Sequence, residues 1–429
     1  MKEDKLLIKN GRVIDPAQNL DDVTDILIEN GKISKISKNI KMSAARIIDA
    51  KDRIVIPGIV DMHVHLRQPG REDKETIESG TAAALKGGVT SVLAMPNTSP
   101  AIDSPETVDL LKNIIKKSAK ANVYIAAAIT KERAGKTLAD IASLKKHDVV
   151  ALSDDGCSVD DEALLLEALR KAAKCKLALI CHCEDKTLSA HGVINLGFMS
   201  TTLGLRGISC ESEYKRIQRD ILLAEKAHAP IHIAHVSCKE SVEIIARAKK
   251  KGIQVTAETC PHYFALSQED VAGYDTNMKM NPPLRTKEDV AAIKEGLQKG
   301  IIDVIASDHA PHTINEKDIE FDYAEFGVIG LETELAVSIT ELIESAVLSW
   351  PELVKKIALN PSKILTLDKG TLAVQAQADV TILNPHKTWF VQKENLVSKS
   401  KNSAFLGKKL KGVVEYTILS GKIAYAHSV

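Results

Sequence analysis

Eight short β-rich runs recur through the middle of this 429-residue chain, each followed by residues that read as helix. They lie at about 59–66, 89–95, 122–129, 148–153, 176–183, 230–236, 253–258 and 302–307. Between them stand helical patterns such as SPETVDLLKNIIKKSAK and KESVEIIARAKKKG. Eight strands alternating with helices over roughly 300 residues predict an α/β chain folded as a (β/α)8 barrel. An open doubly wound sheet is the competing architecture, but no G-x-G-x-x-G follows any of these strands.

The two ends differ from this middle. LLIKNGRVIDP, DILIENGKISKIS and AARIIDAKDRIVIP near the start, and ADVTILNP and GVVEYTILSGKIAYA near the end, are short alternating strands around Asn-Gly and Ser-Gly turns. Residues 1–56 and 371–429 are therefore expected to form one small β-sandwich domain. The barrel, residues 57–370, is then an insertion between them.

Lys+Arg and Asp+Glu both number 57, which leaves no net field for nucleic acid or a membrane surface. The N-terminus MKEDKLLIKNGRVIDP lacks the apolar centre of a secretory signal, and no apolar run reaches a membrane span. Seven cysteines, an odd number without a C-x-x-C pair, predict reduced thiols and a cytoplasmic protein. Cys181 and Cys183 flank His182 and read as small buried side chains rather than thiolate ligands. Lys249-Lys250-Lys251 before Gly252 reads as the solvated end of a helix.

The first run continues through His63-Val64-His65 to Arg67. Side chains alternate along a strand, so His63 and His65 share a face, with Arg67 two positions further along it. A barrel of this kind builds its site at the C-terminal ends of the strands. Those ends carry Met95-Pro96-Asn97-Thr98, Ser153-Asp154-Asp155-Gly156, His182, His235, Glu258 to His262, and Ser307-Asp308-His309-Ala310-Pro311-His312. One strand-end histidine is usually an ordinary hydrogen-bonding residue, but four histidines and two aspartates at one level form a metal-ligand set. Nitrogen and oxygen donors suit Zn2+, Mn2+ or Co2+, with zinc the default. Six ligands exceed a tetrahedral site, so two metals about 3.5–4 Å apart, sharing a carboxylate and activating water for amide hydrolysis, are expected.

The motifs GIVDMHVHLRQPG, MPNTSP, SDDG, CHCED, IAHVS, TCPHY, NPPLR and SDHAPH span almost the whole chain. Together they resemble those of the dihydroorotases of the amidohydrolase superfamily. The resemblance implies reversible cyclisation of N-carbamoyl-L-aspartate to L-dihydroorotate in pyrimidine synthesis. It implies one or two Zn2+ per subunit, with His63 and His65 on one metal and His182 and His235 on the other. Many superfamily members bridge their metals with a carboxylated lysine. This chain has Asp154-Asp155 there, like the branch of dihydroorotases with an aspartate in that place. Asp155 is assigned because its distance to His182 matches that branch, with Asp154 the near alternative, able to hold a ligand histidine.

Asp308 is expected to bind metal and to carry a proton from the attacking water to the leaving nitrogen. Its competing reading is a helix N-cap ahead of Ala310-Pro311. Arg67, Asn97 and His312 resemble the family's carboxylate-binding set; the alternatives are a surface ion pair for Arg67 and an Asx-turn for Asn97. Asn281, Phe326 and Gly327 resemble residues that hold the substrate ring. Gln68 departs from a common glutamate, with its side chain expected to face away from the site. Glu325 departs from a frequent proline, which bears on the mobility of that loop.

A hydantoinase or allantoinase is the rival enzyme, but those substrates need no carboxylate clamp. A non-catalytic subunit of aspartate transcarbamoylase would be expected to have lost ligands, and this chain keeps all six. The resemblance admits a homodimer and an association with aspartate transcarbamoylase. The Gly- and Ser-containing stretch Asp185 to Cys210 is the candidate for closing over substrate.

Overall fold

The computed structural model describes residues 5–42 and 46–427. Eight parallel strands, Ile59–Val64, Val89–Ala94, Asn122–Ala127, Ala151–Ser153, Ala178–Cys181, Ile231–Ile233, Val255–Thr259 and Val304–Ile305, lie side by side in chain order. The ring closes where Val64 bridges His309 in parallel and the His65 N–H donates to the His309 carbonyl at 2.9 Å. This is the expected (β/α)8 barrel. Most strands are shorter than the runs that announce them. The sixth run keeps only Ile231–Ile233, and His235 beyond it adopts a left-handed φ of 35°.

Helices such as Pro105–Ser118, Glu162–Lys174, Glu211–Ala227, Lys239–Lys250 and Lys287–Gln298 cover the outside. Their starts are written locally. The Ser104 hydroxyl accepts from the Thr107 N–H, and Pro105 occupies a first-turn position where no N–H is needed. Leu165, Ala168, Leu169 and Ala172 recur at helical spacing and are buried in the barrel's core. Of the expected solvated lysines, Lys249 is held by Asp303 at 2.6 Å.

Strands from both termini join one hydrogen-bonded sheet, in which Ile54–Pro57 pairs antiparallel with Val380–Leu383. Ile8, Val13, Ile26, Val55, Val380 and Ile382 belong to its separate apolar cluster. Ile54–Pro57 passes through Gly58 directly into the first barrel strand, so the sheet anchors the strand that carries His63. Residues 391–408 then leave the sheet and cross the barrel, where Leu396, Ala404 and Phe405 enter its core. Asn402 reaches the mouth: its Oδ1 accepts from the His312 N–H (3.1 Å), and its Nδ2 donates to the Ala310 (3.2 Å) and Gly327 (3.1 Å) carbonyls. That contribution of the terminal chain to the mouth is absent from the sequence reading.

The stretch Asp185 to Cys210 folds into helices Lys186–Ser189 and Phe198–Leu203 around a two-stranded pair, Ile194–Asn195 with Gly207–Ile208. Among the described residues no helix is long and apolar enough to cross a membrane.

Candidate active site

Asp155 is the hub of the mouth. Its Oδ1 lies 3.2 Å from His63 Nε2, 3.6 Å from His235 Nε2 and 3.9 Å from His182 Nδ1, while its Oδ2 lies 3.4 Å from His65 Nε2. Asp308 closes one side, with Oδ1 3.1 Å from His65 Nε2 and 3.6 Å from His63 Nε2. On the other side His182 Nδ1 stands 2.8 Å from His235 Nε2. All six side chains named from the sequence therefore converge, on five strand ends, and all are buried. Asp308 and His235 sit at φ 47° and 35°, conformations that cost an L-residue about 1–2 kcal/mol each. No helix starts at Ala310-Pro311; the next helix is Ile314–Lys317, so Asp308 is not an N-cap.

Three of the four histidines are oriented from behind. The His63 Nδ1–H donates to Glu258 Oε1 at 2.5 Å, and His65 Nδ1–H donates to Asn97 Oδ1 at 2.8 Å. His182 Nε2–H donates to Glu184 Oε2 at 3.2 Å. These bonds leave His63 Nε2, His65 Nε2 and His182 Nδ1 as lone pairs turned toward Asp155. Glu258 and Glu184 had no role in the sequence reading. The only available signals were a carboxylate on an apolar strand and the Glu of CHCED.

Asp154, the near alternative, does not touch a histidine. It accepts from the Ile129 (2.8 Å) and Thr130 (3.1 Å) N–H groups and fixes the end of the third strand. Cys181 and Cys183 are buried, and all seven cysteines are unpaired.

The charge balance explains what such a cluster accepts. Burial alone would lower the His63 imidazole, but Asp155, Glu258 and Asp308 outweigh it and hold it well above the usual range. Burial likewise opposes ionisation of Asp155 and Asp308, and the surrounding imidazoles, His63 foremost, hold both well below the carboxylate range. His63 Nε2 and Asp155 Oδ1 are buried without a hydrogen-bond partner. Two unpartnered buried atoms in a carboxylate-rich centre fit a divalent cation, which can take the place of the His63 proton and be shared by both.

The opposite wall is cationic. Arg67, half-buried at φ 61°, donates from Nε to the Pro311 carbonyl (3.2 Å), and its NH2 lies 3.3 Å from His312 Nε2. Burial pushes its guanidinium down to about 10, so it is no surface ion pair. The Asn97 amide faces His65 rather than capping its own turn. Asn281 reaches the cluster indirectly, with Nδ2 donating to Glu184 Oε2 at 3.1 Å.

Phe326 lies against Lys279, whose Nζ is 4.6 Å from the ring centroid. Gly327 has φ 121°, and a Cβ there would meet the Ala310 Cβ at 2.6 Å, so only glycine fits this approach. Glu325, at the frequent proline position, donates its N–H to the Glu316 carbonyl at 3.1 Å, a bond proline cannot make. Gln68 points out of the site, its Oε1 accepting from the Ile77 N–H.

The barrel is shared with solved enzymes of cyclic-amide hydrolysis. The L-hydantoinase (dihydropyrimidinase) of Arthrobacter aurescens superposes with a TM-score of 0.88 at 26% identity, covering 98% of this chain and 96% of that one. The protein is thus an enzyme of the cyclic-amide hydrolase class. Within that class the sequence is more specific. Residues 52–241 match the Dihydro-orotase-like family model. The dihydroorotase of Elusimicrobium minutum is 52% identical over 98% of this chain and 97% of its own length, and that of Geobacter metallireducens is 50% identical over 98% and 99%. This chain belongs to the dihydroorotase family.

Proposed function

We propose that this enzyme is a zinc-dependent dihydroorotase that closes N-carbamoyl-L-aspartate to L-dihydroorotate, and reopens it, in pyrimidine synthesis. The observation that carries the reading is the Arg67–His312 pair, 3.3 Å apart, beside a His/Asp cluster suited to cations. A substrate with a carboxylate next to its cyclic amide needs both. Relatives about half identical over nearly their full length carry the name dihydroorotase, which supports the same substrate.

His63, His65 and Asp308 would hold one metal, His182 and His235 a second, with Asp155 between them. Bound there, a divalent metal supplies Lewis acidity and lowers the pKa of water. Asp308 takes the proton from the attacking water and gives it to the departing ring nitrogen. Arg67 and His312 hold the substrate carboxylate, and Asn97 keeps its amide nitrogen for the same group while its oxygen orients His65. Asn281 and the backbone at Phe326 and Gly327 position the ring. Cyclisation uses the same groups in reverse order. The seven unpaired cysteines suit the cytoplasm.

Loss of L-dihydroorotate, followed by ultraviolet absorbance with metal content measured in the same sample, tests the reading. We expect turnover that a chelator abolishes and zinc restores, with hydantoin and allantoin inert. Hydantoin opening without dihydroorotate opening would overturn the substrate. A zinc-loaded but inert protein would point instead to a non-catalytic role beside aspartate transcarbamoylase.

A further inference from the structure

One buried cation stands against this pocket with no part in the reaction described so far. The Lys74 side chain is 6% exposed, and its Nζ lies 3.1 Å from His312 Nδ1 and 2.9 Å from Glu316 Oε1. Its backbone is held from both sides. The Lys74 N–H donates to the Arg71 carbonyl (3.0 Å), and its carbonyl accepts from the hydroxyl of Ser400 (2.7 Å), on the segment that crosses the barrel.

An ammonium group has donors and no acceptor. The Arg67 guanidinium at His312 Nε2 has no acceptor either, and a neutral ring can accept from only one of the two. The shorter contact, 3.1 Å from Lys74 against 3.3 Å from Arg67, gives the lone pair to Nδ1 and the proton to Nε2. Among the described residues Glu316 is the one carboxylate paired with Nδ1, and its Oε2 is 3.7 Å away. That oxygen already accepts from the Thr313 N–H (2.9 Å) and hydroxyl (3.0 Å). On the other side of the ring, Nε2 faces the Arg67 guanidinium. Two donors then stand side by side, and a carboxylate oxygen is the group that satisfies both.

We propose that Lys74 is a positioning residue that fixes His312 as the Nε2–H tautomer and so makes Arg67 and His312 a paired-donor site for the substrate carboxylate. The inference rests on the carboxylate-binding reading of that pair. Burial, then the charges of Arg67, Lys74 and Lys317, push His312 down to about 2, which keeps the ring neutral at working pH. Tautomer, not protonation, is then what decides whether His312 can donate.

Nitrogen NMR of 15N-histidine-labelled enzyme reads the tautomer directly, with the His312 signals assigned by their loss in His312→Gln. In the wild-type enzyme we expect a pyridine-type Nδ1 and a pyrrole-type Nε2; the reverse pattern overturns the proposal without any variant having to fold. In Lys74→Met the two tautomers should mix, and Lys74→Arg, which keeps a cationic donor, should restore one. Kinetically, Lys74→Met should raise the KM for dihydroorotate about tenfold, the scale of one hydrogen bond to an ion. Its kcat should stay largely unchanged. A mixed tautomer with unaltered KM overturns the role in binding. If Arg67→Met leaves KM unchanged, the carboxylate reading fails by itself; a KM defect in Arg67→Met with an Nδ1–H ring in the wild type fails only Lys74.

Discussion

Two walls of one pocket use the same residue type in opposite electrostatic surroundings. Around His63 stand Asp155, Glu258 and Asp308, and the imidazole is held well above its usual range. Around His312 stand Arg67, Lys74 and Lys317, and the imidazole is pushed down to about 2. Both rings are buried, so desolvation favours the neutral form in each, and neighbouring charge sets the difference. A histidine in the first setting stands among anions, where a divalent cation can take the place of its proton. In the second, with a cation already on one nitrogen, it is left to donate to an anion. What each histidine binds is therefore written in its neighbours.

The largest break of this contrast is at Asp308, where the acidic wall does chemistry as well as binding. Asp308→Asn should retain metal but lose turnover in both directions, by about 10²–10⁴-fold for removal of an acid/base group. Metal analysis with the absorbance assay checks this, and near-normal turnover would remove Asp308 from the proton path. Glu258→Gln keeps the shape behind His63 but removes a charge that His63 and His232 hold down to about 2 against the opposing effect of burial. Metal affinity should fall about 10–100-fold, read by competition with a chelating dye. On the cationic wall, Arg67→Met should raise KM about 10–100-fold, the cost of charge-assisted hydrogen bonds, with metal content unchanged. Loss of metal in that variant would show that the two walls are not separable.

The barrel was legible in the sequence because it rests on local pattern: strand runs alternating with amphipathic helices, and two histidines on one strand face. The convergence of His63, His65, His182, His235, Asp155 and Asp308 followed from strand-end position alone. Choosing Asp155 over Asp154 did not. Adjacent strand-end residues face opposite ways, and only tertiary structure shows Asp154 binding the Ile129 and Thr130 N–H groups. Glu258 behind His63 is 195 residues away in sequence, and Asn402 on the His312 loop is 90 away. Such pairs are made by barrel closure and by a terminal segment returning over the mouth, and neither leaves a periodic trace. Lys74 was hidden for the same reason: next to Asp73 and Glu75 it looks like one charge of a solvated run.

Smaller effects sharpen the contrast away from the chemistry. Lys317 donates to the carbonyls of Lys279 (3.3 Å), Glu325 (2.8 Å) and Gly327 (3.1 Å), tying down the Phe326 loop. Burial and then Lys279 push its ammonium down to about 7. In the unfolded chain a lysine ionises near about 10.4, so between these values the unfolded state binds more protons than the folded one. Stability from this group therefore rises with pH across that window, because the folded state sheds a buried charge that the unfolded state keeps. Melting curves at neutral and alkaline pH should show the rise reduced in Lys317→Met; an identical slope would mean that the ammonium is not effectively buried.

The smallest expected change is at Gln68, whose Oε1 accepts from the Ile77 N–H at 3.0 Å, at the start of the helix Ile77–Lys86. A carboxylate there meets the positive end of the helix, so Gln68→Glu should add about 0.3–1 kcal/mol in urea unfolding and leave KM unchanged. A shift in KM would instead connect this position to Arg67, one residue before it, and would extend the cationic wall beyond the side chains that face the substrate.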